Sequence, residues 1–261
     1  MARMILAGGY DLAVWARRPE ATLAFAEAGA RVAASPVELA AASDVLCLCV
    51  TGDADVRDLL VEGGVLATMA PGSIVAQHST IAPATCVDLA ERAARHGLRF
   101  LDLPVSGSGH AALARRLLVL CGGEAVALEI IRPVLECYAG SILHMGEVGA
   151  GQRAKLLNNL LAVVNIGQAW RLLTLAPAVG VDPAAMREAV LAGTARTASM
   201  EAMVRLCQPA RAAHVLAILR KDVALAFAAF PPDEMAPWRD LAGAGLDALA
   251  TLAASDGSLL G

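Results

Sequence analysis

From Asp11 to about His144, short apolar runs of strand length alternate with stretches of helical periodicity. The strand-like runs are Asp11–Trp15, Val45–Val50, Ser73–His78, Arg99–Leu103, Leu117–Cys121 and Ser141–His144. Helical stretches such as Pro19–Ala28, Pro83–His96 and Glu124–Tyr138 lie between them, and Pro19 and Pro83 suit a first helical turn. Strands alternating with helices at this spacing predict a largely parallel, doubly wound α/β sheet covered on both faces. After Gly151 the pattern changes. Gln152 to Val179 reads as one long helix, and the Ala/Leu-rich remainder carries no strand signal but is punctuated by Pro183, Pro209, Pro231, Pro232 and Pro237. The glycine-rich turn Gly146–Gly151 therefore predicts a boundary between an α/β domain, residues 1–147, and an all-α domain, residues 148–261.

Composition narrows the classes. The 261 residues are 57% hydrophobic but only 3% aromatic, so Ala, Leu and Val must fill the interior. A net charge of −4 leaves no basic footprint for nucleic acid. Cys47, Cys49, Cys86, Cys121, Cys137 and Cys207 sit in or beside apolar runs without metal-ligand pairing, so buried, reduced thiols and no metal site are expected. The longest uncharged stretch, Gly63 to Val87, is broken by Pro71, Gly72, Gln77, His78 and Pro83, which a lipid-facing helix would not carry. Asp11 arrives too soon for a secretory signal. A soluble, cytoplasmic protein is the expectation.

The cations are unevenly chosen: nineteen arginines against two lysines, Lys155 and Lys221. A guanidinium stays charged at any accessible pH, so a group that must release and recover a proton has to be an amine. The two lysines are accordingly candidates for chemistry.

Three segments offer that chemistry. Trp15-Ala-Arg17-Arg18-Pro19 follows a strand and opens a helix, where a dinucleotide fold presents the residue that reads the adenosine ribose. Arginines there favour a 2′-phosphate, whereas a carboxylate would favour the free hydroxyl; two solvated arginines at a helix start are an equally good local reading. Asp102-Leu-Pro-Val-Ser106-Gly107-Ser-Gly stands at a strand's carboxyl end, where a flexible Ser/Gly loop can offer donors to an anion, although by itself it reads as an ordinary turn. In Gly151-Gln-Arg-Ala-Lys155-Leu-Leu-Asn158-Asn159, positions 151, 155 and 159 share one helix face. There Gly151 is expected to leave space, with Lys155 supplying an ammonium and Asn159 an amide.

Taken together these segments resemble the β-hydroxyacid dehydrogenases, the family of 3-hydroxyisobutyrate dehydrogenases and glyoxylate/succinic semialdehyde reductases. Asp102–Gly107 is similar to that family's substrate loop Asp-x-Pro-Val-Ser-Gly, and Gly151–Asn159 to its helix Gly-x-x-x-Lys-x-x-x-Asn. Ser79-Thr80-Ile-Ala-Pro83 is similar to its Ser-Thr-x-x-Pro cofactor turn, and Lys221-Asp222 to its C-terminal Lys-Asp pair. The resemblance implies a Rossmann-like domain, a helical domain through which the chain forms a homodimer or homotetramer, and a nicotinamide cofactor, for which Arg17 and Arg18 favour NADP over NAD. It implies Lys155 as general acid/base for a small carboxylate substrate. Asn159 would hold the substrate or orient the amine, and Ser106 and Gly107 would bind the carboxylate. Arg17, Val50, Thr51, Thr80, Lys221 and Asp222 would line the cofactor groove. A lysine partly desolvated or near other cations has its pKa drawn toward neutrality, where proton transfer is efficient.

The chain departs from that pattern at several points. The family opens with a strand and a Gly-x-Gly-x-x-Gly turn, whereas Met1-Ala2-Arg3 resembles residues inside the helix that follows. A misplaced start codon or a shortened chain is expected rather than a natural enzyme without the element, because losing a central strand leaves both neighbours with unpaired backbone. Arg115-Arg116 stands where the family has Gly-Thr, Ser108 replaces a loop glycine, and His214 takes an aromatic position as an expected packing substitute. The arginines suggest a larger or more anionic substrate. Two other readings stay open: an imine reductase, against which Lys155 argues, and a cofactor-impaired binding or assembly module.

Overall fold

The computed structural model describes residues 1–255 and divides into two compact units, Met1–Lys155 and a second beginning at Leu156. The division runs through a continuous helix; the expected boundary lies in the turn that opens the same helix.

The first unit holds eight strands: β1 (Ala13–Val14), β2 (Arg31–Val32), β3 (Val45–Leu48), β4 (Ile74–Gln77), β5 (Arg99–Asp102), β6 (Val105–Ser106), β7 (Leu117–Gly122) and β8 (Ala139–Gly146). Its helices are α1 (Ala2–Ala7), α2 (Leu23–Ala26), α3 (Pro36–Ala41), α4 (Asp53–Arg57), α5 (Val65–Thr68), α6 (Pro83–Arg95), α7 (Gly109–Leu113) and α8 (Ala125–Glu136). Every expected strand is present. β2 and β6 were not anticipated, because two residues carry no periodicity to read.

The strands form two sheets. β3, β4 and β5 pair in parallel, and the fully buried β4 is central to them. β5 and β6 both run antiparallel along one edge of β7, in one continuous register (Asp102↔Gly122, Val105↔Val119, Ser106↔Leu118), and β8 pairs in parallel on β7's other edge. The segment expected as a flexible Ser/Gly loop therefore begins as paired strand. Among the described residues β1 pairs only with β2, as a separate two-stranded sheet, and β3 pairs only with β4. Both neighbours of the position that a 3-2-1-4-5-6 order would give its first strand are thus paired on one side alone. Cys47 and Cys49 are exposed, against the expectation of buried thiols, while Cys86, Cys121, Cys137 and Cys207 are buried, and all six are free.

Two cores flank the large sheet. Ile74, Ala76, Leu101, Val119, Leu128 and Ile131 belong to one; Leu48, Val75, Phe100, Leu60, Cys86 and Leu89 belong to the other. Alternate residues of β4 and β5 supply opposite faces, as the two-residue strand period requires.

The second unit is helical among the described residues. It contains most of α9 (Ala150–Leu175), then α10 (Pro183–Ala192), α11 (Ala198–Leu206), α12 (Pro209–Ala229), α13 (Pro232–Met235) and α14 (Arg239–Ala254). Prolines open α10, α12 and α13, and Asp182 and Thr197 cap α10 and α11 by accepting the Ala185 and Met200 N–H groups. The run Ala150–Val179 is long and apolar enough to cross a membrane by length and composition. Its Leu156, Leu160, Val163, Ile166, Ala169 and Leu173 instead form the core of this unit with Met203, Leu219, Val223 and Leu249.

Candidate active site

The start of α9 is held by groups from two strand ends. Asp102, at the end of β5, is completely buried, and its carboxylate accepts the N–H groups of Gly149 at 2.7 Å and Gln152 at 2.8 Å. A carboxylate at this position caps orphan donors and complements the helix dipole. Burial pushes the Asp102 carboxyl up from its ordinary range, while the two N–H donors and Arg153 pull against that shift. Gly151 allows the helix to settle on the sheet. A Cβ there would collide with the Leu120 carbonyl, and would come within 2.8 Å of both the Asp102 carbonyl and the Gly122 nitrogen. The space that Gly151 was expected to leave on that helix face is occupied by backbone.

Gln152, also completely buried, turns its side chain to the segment after β4. Its Oε1 accepts from the Ile81 N–H at 3.2 Å, and its Nε2 donates to the Ser79 carbonyl at 2.9 Å. Ser79 Oγ accepts the Val50 N–H at 2.8 Å, joining the ends of β3 and β4. Asp53 Oδ1 accepts from the Ala82 N–H at 3.0 Å and the Thr85 hydroxyl at 2.6 Å. The 79–83 turn is thereby fastened to β3, α4 and α9. Val50 and Thr80 are half-buried beside these anchors, and Thr51 is exposed.

Lys155, one turn into α9, is buried with 8% of its surface exposed, and Asn159 is buried at 6%. An amine so enclosed is not a solvated surface cation. Within the second unit, Asn159 Nδ2 donates to Asp222 Oδ2 at 2.6 Å, Asn158 Nδ2 donates to Asn159 Oδ1 at 3.1 Å, and Lys221 Nζ lies 3.1 Å from Asp222 Oδ1. Helix spacing identified Asn159, and the family resemblance Lys221 and Asp222, but neither showed that Asp222 accepts from Asn159 and pairs with Lys221.

Ser106 is half-buried in β6, and the following Gly107 is exposed with φ +126°. A Cβ on Gly107 would meet Leu117 Cδ2 at 2.7 Å and Ala111 Cβ at 2.9 Å, so both conformation and space demand glycine here.

Arg17 is exposed and donates from Nη1 to Asp55 Oδ1 at 2.7 Å. A carboxylate therefore does stand at this arginine, supplied from α4 and invisible to local reading. Arg115 adopts φ +54°, the only left-handed non-glycine residue among those described. His214 is exposed, so it is not the packing substitute expected. Cys121 is completely buried, and burial, with the Asp102 carboxylate adding to it, pushes its thiol up to about 12.

Sequence reasoning also missed His78. Its Nδ1 lies 2.8 Å from the Leu103 carbonyl, and its Nε2 lies 3.0 Å from the Tyr138 hydroxyl. A carbonyl can only accept, so Nδ1 carries the proton and Tyr138 donates to Nε2. Asp102, Gln152 and His78 all bond to main-chain groups far along the chain. A usable signal existed only for Gln152, which shares a helix face with Lys155 three residues on.

Among the described residues no group of three or more His, Cys, Asp or Glu side chains could hold a metal ion.

A sheet whose strand ends carry these turns, continuing into a helix with a buried lysine, defines a Rossmann-type α/β unit joined to a helical one. The chain belongs to the β-hydroxyacid dehydrogenase family: residues 1–146 match the NAD binding domain of 6-phosphogluconate dehydrogenase, and residues 149–236 the NAD-binding region of NADP-dependent 3-hydroxyisobutyrate dehydrogenase. It is 36% identical to the 3-hydroxyisobutyrate dehydrogenase of Pseudomonas aeruginosa over 72% of this chain and 63% of that one. The chain thus spans less than two thirds of that curated relative. Among solved structures it is similar to the 3-hydroxyisobutyrate dehydrogenase of Mycobacterium tuberculosis with L-serine (26% identity, TM-score 0.81, 99% of this chain and 92% of that one). It is also similar to Psf3 in complex with NADP+ and 2-OPP (30% identity, TM-score 0.82, 94% and 88%).

Proposed function

We propose that this chain interconverts a small β-hydroxyacid and its semialdehyde or keto partner, with Lys155 moving the proton. The observation that carries the reading is the burial of Lys155 on a helix whose first turn is bonded to the ends of β4 and β5. A lysine enclosed in this way has a fixed location from which to protonate a carbonyl oxygen or accept the hydroxyl proton. Ser106 and Gly107 bind the carboxylate, supported by the strand register that fixes Ser106 opposite Leu118. Asn159 orients the reacting group from one turn further along α9, and its own orientation is supported by the bond to Asp222.

A bound nicotinamide dinucleotide supplies or accepts the hydride. The turn anchored by Ser79, Asp53 and Gln152 fits the nicotinamide end, with Val50, Thr51 and Thr80 as its lining. The pyrophosphate end has no Gly-x-Gly-x-x-Gly turn among these residues. NADP is the cofactor of this reading, supported by the NADP+ held by Psf3 and by Arg18 beside the Asp55-paired Arg17. A cytoplasmic homodimer or homotetramer belongs to the same proposal, the oligomer being supported by Leu157, Leu161 and Leu175, which α9 leaves exposed.

Lys155→Ala tests it, assayed with 3-hydroxyisobutyrate, L-serine, glyoxylate, succinic semialdehyde and a cyclic imine. Loss of general acid/base catalysis is expected to lower kcat by about 10²–10⁴-fold, with NADPH affinity by fluorescence titration retained. Turnover persisting within about tenfold, only ~1.4 kcal/mol, overturns the role of Lys155. Failure of the unsubstituted chain to bind NADPH overturns the enzymatic reading in favour of a binding module.

A further inference from the structure

Gln152 makes an unusual pair of bonds for a helix side chain. Its amide takes the Ser79 carbonyl and the Ile81 N–H, the two main-chain groups on either side of Thr80. A neighbouring strand residue would make the same two bonds to Thr80 in a parallel ladder. The Gln152 backbone N–H is meanwhile bonded to Asp102, the last residue of β5. One residue therefore joins the turn at Thr80, the strand that leads to Ser106, and the helical turn that carries Lys155.

We propose that Gln152 is the positioning residue that sets Lys155 relative to Thr80 and to the strand leading into Ser106. The proposal rests on the reading of Lys155 as the proton-transfer group. Gln152 does not itself meet the reacting atoms. The i, i+3 spacing puts Gln152 and Lys155 on one face of α9, so a rotation or slide of the first turn displaces the amine with it. Two side-chain bonds and the Asp102 cap oppose that displacement. An error of about 1 Å in a reacting group is worth about 10²-fold in rate, so modest bonds here have a large kinetic effect.

The test uses the full chain with two substitutions and two readouts. Gln152→Leu keeps the approximate volume and removes both amide bonds. Gln152→Glu keeps them only while its carboxyl is protonated, since that form can donate to the Ser79 carbonyl and accept from Ile81. Charged or titratable groups around the position are Asp102 on β5, Cys86 on α6, Asp53 on α4, and Arg153 and Lys155 on α9. Burial and the Asp102 carboxylate favour the protonated acid, while Arg153 and the Lys155 ammonium favour the ionised one.

The first readout is kinetic. Gln152→Leu is expected to lower kcat by about 10²-fold, with substrate KM and NADPH affinity within about threefold. Gln152→Glu is expected to recover activity relative to the unsubstituted chain as pH is lowered from 8 towards 5. The second readout needs no turnover. Because the chain has two lysines, ¹³Cε-lysine labelling gives two side-chain NMR signals, assigned with Lys221→Arg. The Lys155 signal is expected to shift in Gln152→Leu while that of Lys221 stays in place.

A folded Gln152→Leu with kcat within about threefold and an unmoved Lys155 signal overturns the proposal. So does a Gln152→Glu variant that stays equally impaired from pH 8 to pH 5, which also decides the matter if the leucine variant does not fold. If the unsubstituted chain turns over no substrate, the functional reading fails, and the Lys155 signal alone still tests whether Gln152 positions the amine.

Discussion

Asn159 on α9 donates its side-chain N–H to Asp222 on α12 across 2.6 Å, and Asp222 is only 1% exposed. A buried carboxylate needs compensation, and here one oxygen accepts the Asn159 amide while the other, among the described residues, accepts no hydrogen bond and has only the Lys221 ammonium as an ion-pair partner at 3.1 Å. Asp222→Ala leaves the Asn159 amide without its acceptor, and the expected loss is about 3 kcal/mol of unfolding free energy. Asp222→Asn keeps an acceptor and should lose less. Urea unfolding of both variants checks this; equal stability of all three chains would show that the pair contributes nothing net.

His78 predicts an acid limit on stability. Burial lowers its pKa to about 4, from an ordinary 6.5, while the Leu103 carbonyl opposes the shift. The folded state therefore binds this proton less readily than the unfolded chain. The neutral ring's contribution is fully present above pH 6.5, declines as pH falls below it, and is lost by about pH 4, amounting to about 3 kcal/mol. Urea midpoints for His78→Gln should fall less steeply across that window than those of the unsubstituted chain. Parallel curves would refute the assignment.

Gly151 is where α9 touches the sheet, against the Leu120 and Asp102 carbonyls. Backbone cannot swing aside as a side chain does, so Gly151→Ala is expected to destabilise by about 3 kcal/mol or to displace the first turn of α9. Thermal unfolding measures the first outcome, and loss of turnover with a preserved melting temperature would reveal the second. A variant normal in both would mean that the helix accommodates a methyl group here.

Arg115, at φ +54°, carries a side chain where a left-handed backbone disfavours one. Arg115→Gly relieves that strain but gives the unfolded chain more freedom, leaving a net gain of up to about 1 kcal/mol. A rise in melting temperature is the expected result, and a clear fall would contradict it. The same variant tests whether this arginine selects anionic substrates, since substrate preference should then shift along with stability.

How much could be read without coordinates differs between elements for a physical reason. The six strands found in advance are apolar runs bounded by turn residues, and in β4, β5 and β7 burial on both faces writes that pattern directly into composition. β2 and β6 are stabilised by their neighbours alone, and two residues hold no period. Lys155 and Asn159 were legible because spacing along one helix is local, whereas the Asp55 carboxylate on Arg17 lies 38 residues away and has no local signature.

By itself the sequence determined the alternation of strand and helix, the switch to an all-helical region after Gly151, and the rarity of lysine that singled out residue 155. Local periodicity and residue chemistry suffice for those. Tertiary structure decided that Asp102 caps α9, that Gln152 brackets Thr80, that the space at Gly151 is filled by backbone, and that among the described residues β1 and β3 are each paired on one side only. Hydrogen bonds and steric contacts of that kind join residues tens of positions apart, and their partners are set by how the strands stack, which no local window of the chain contains.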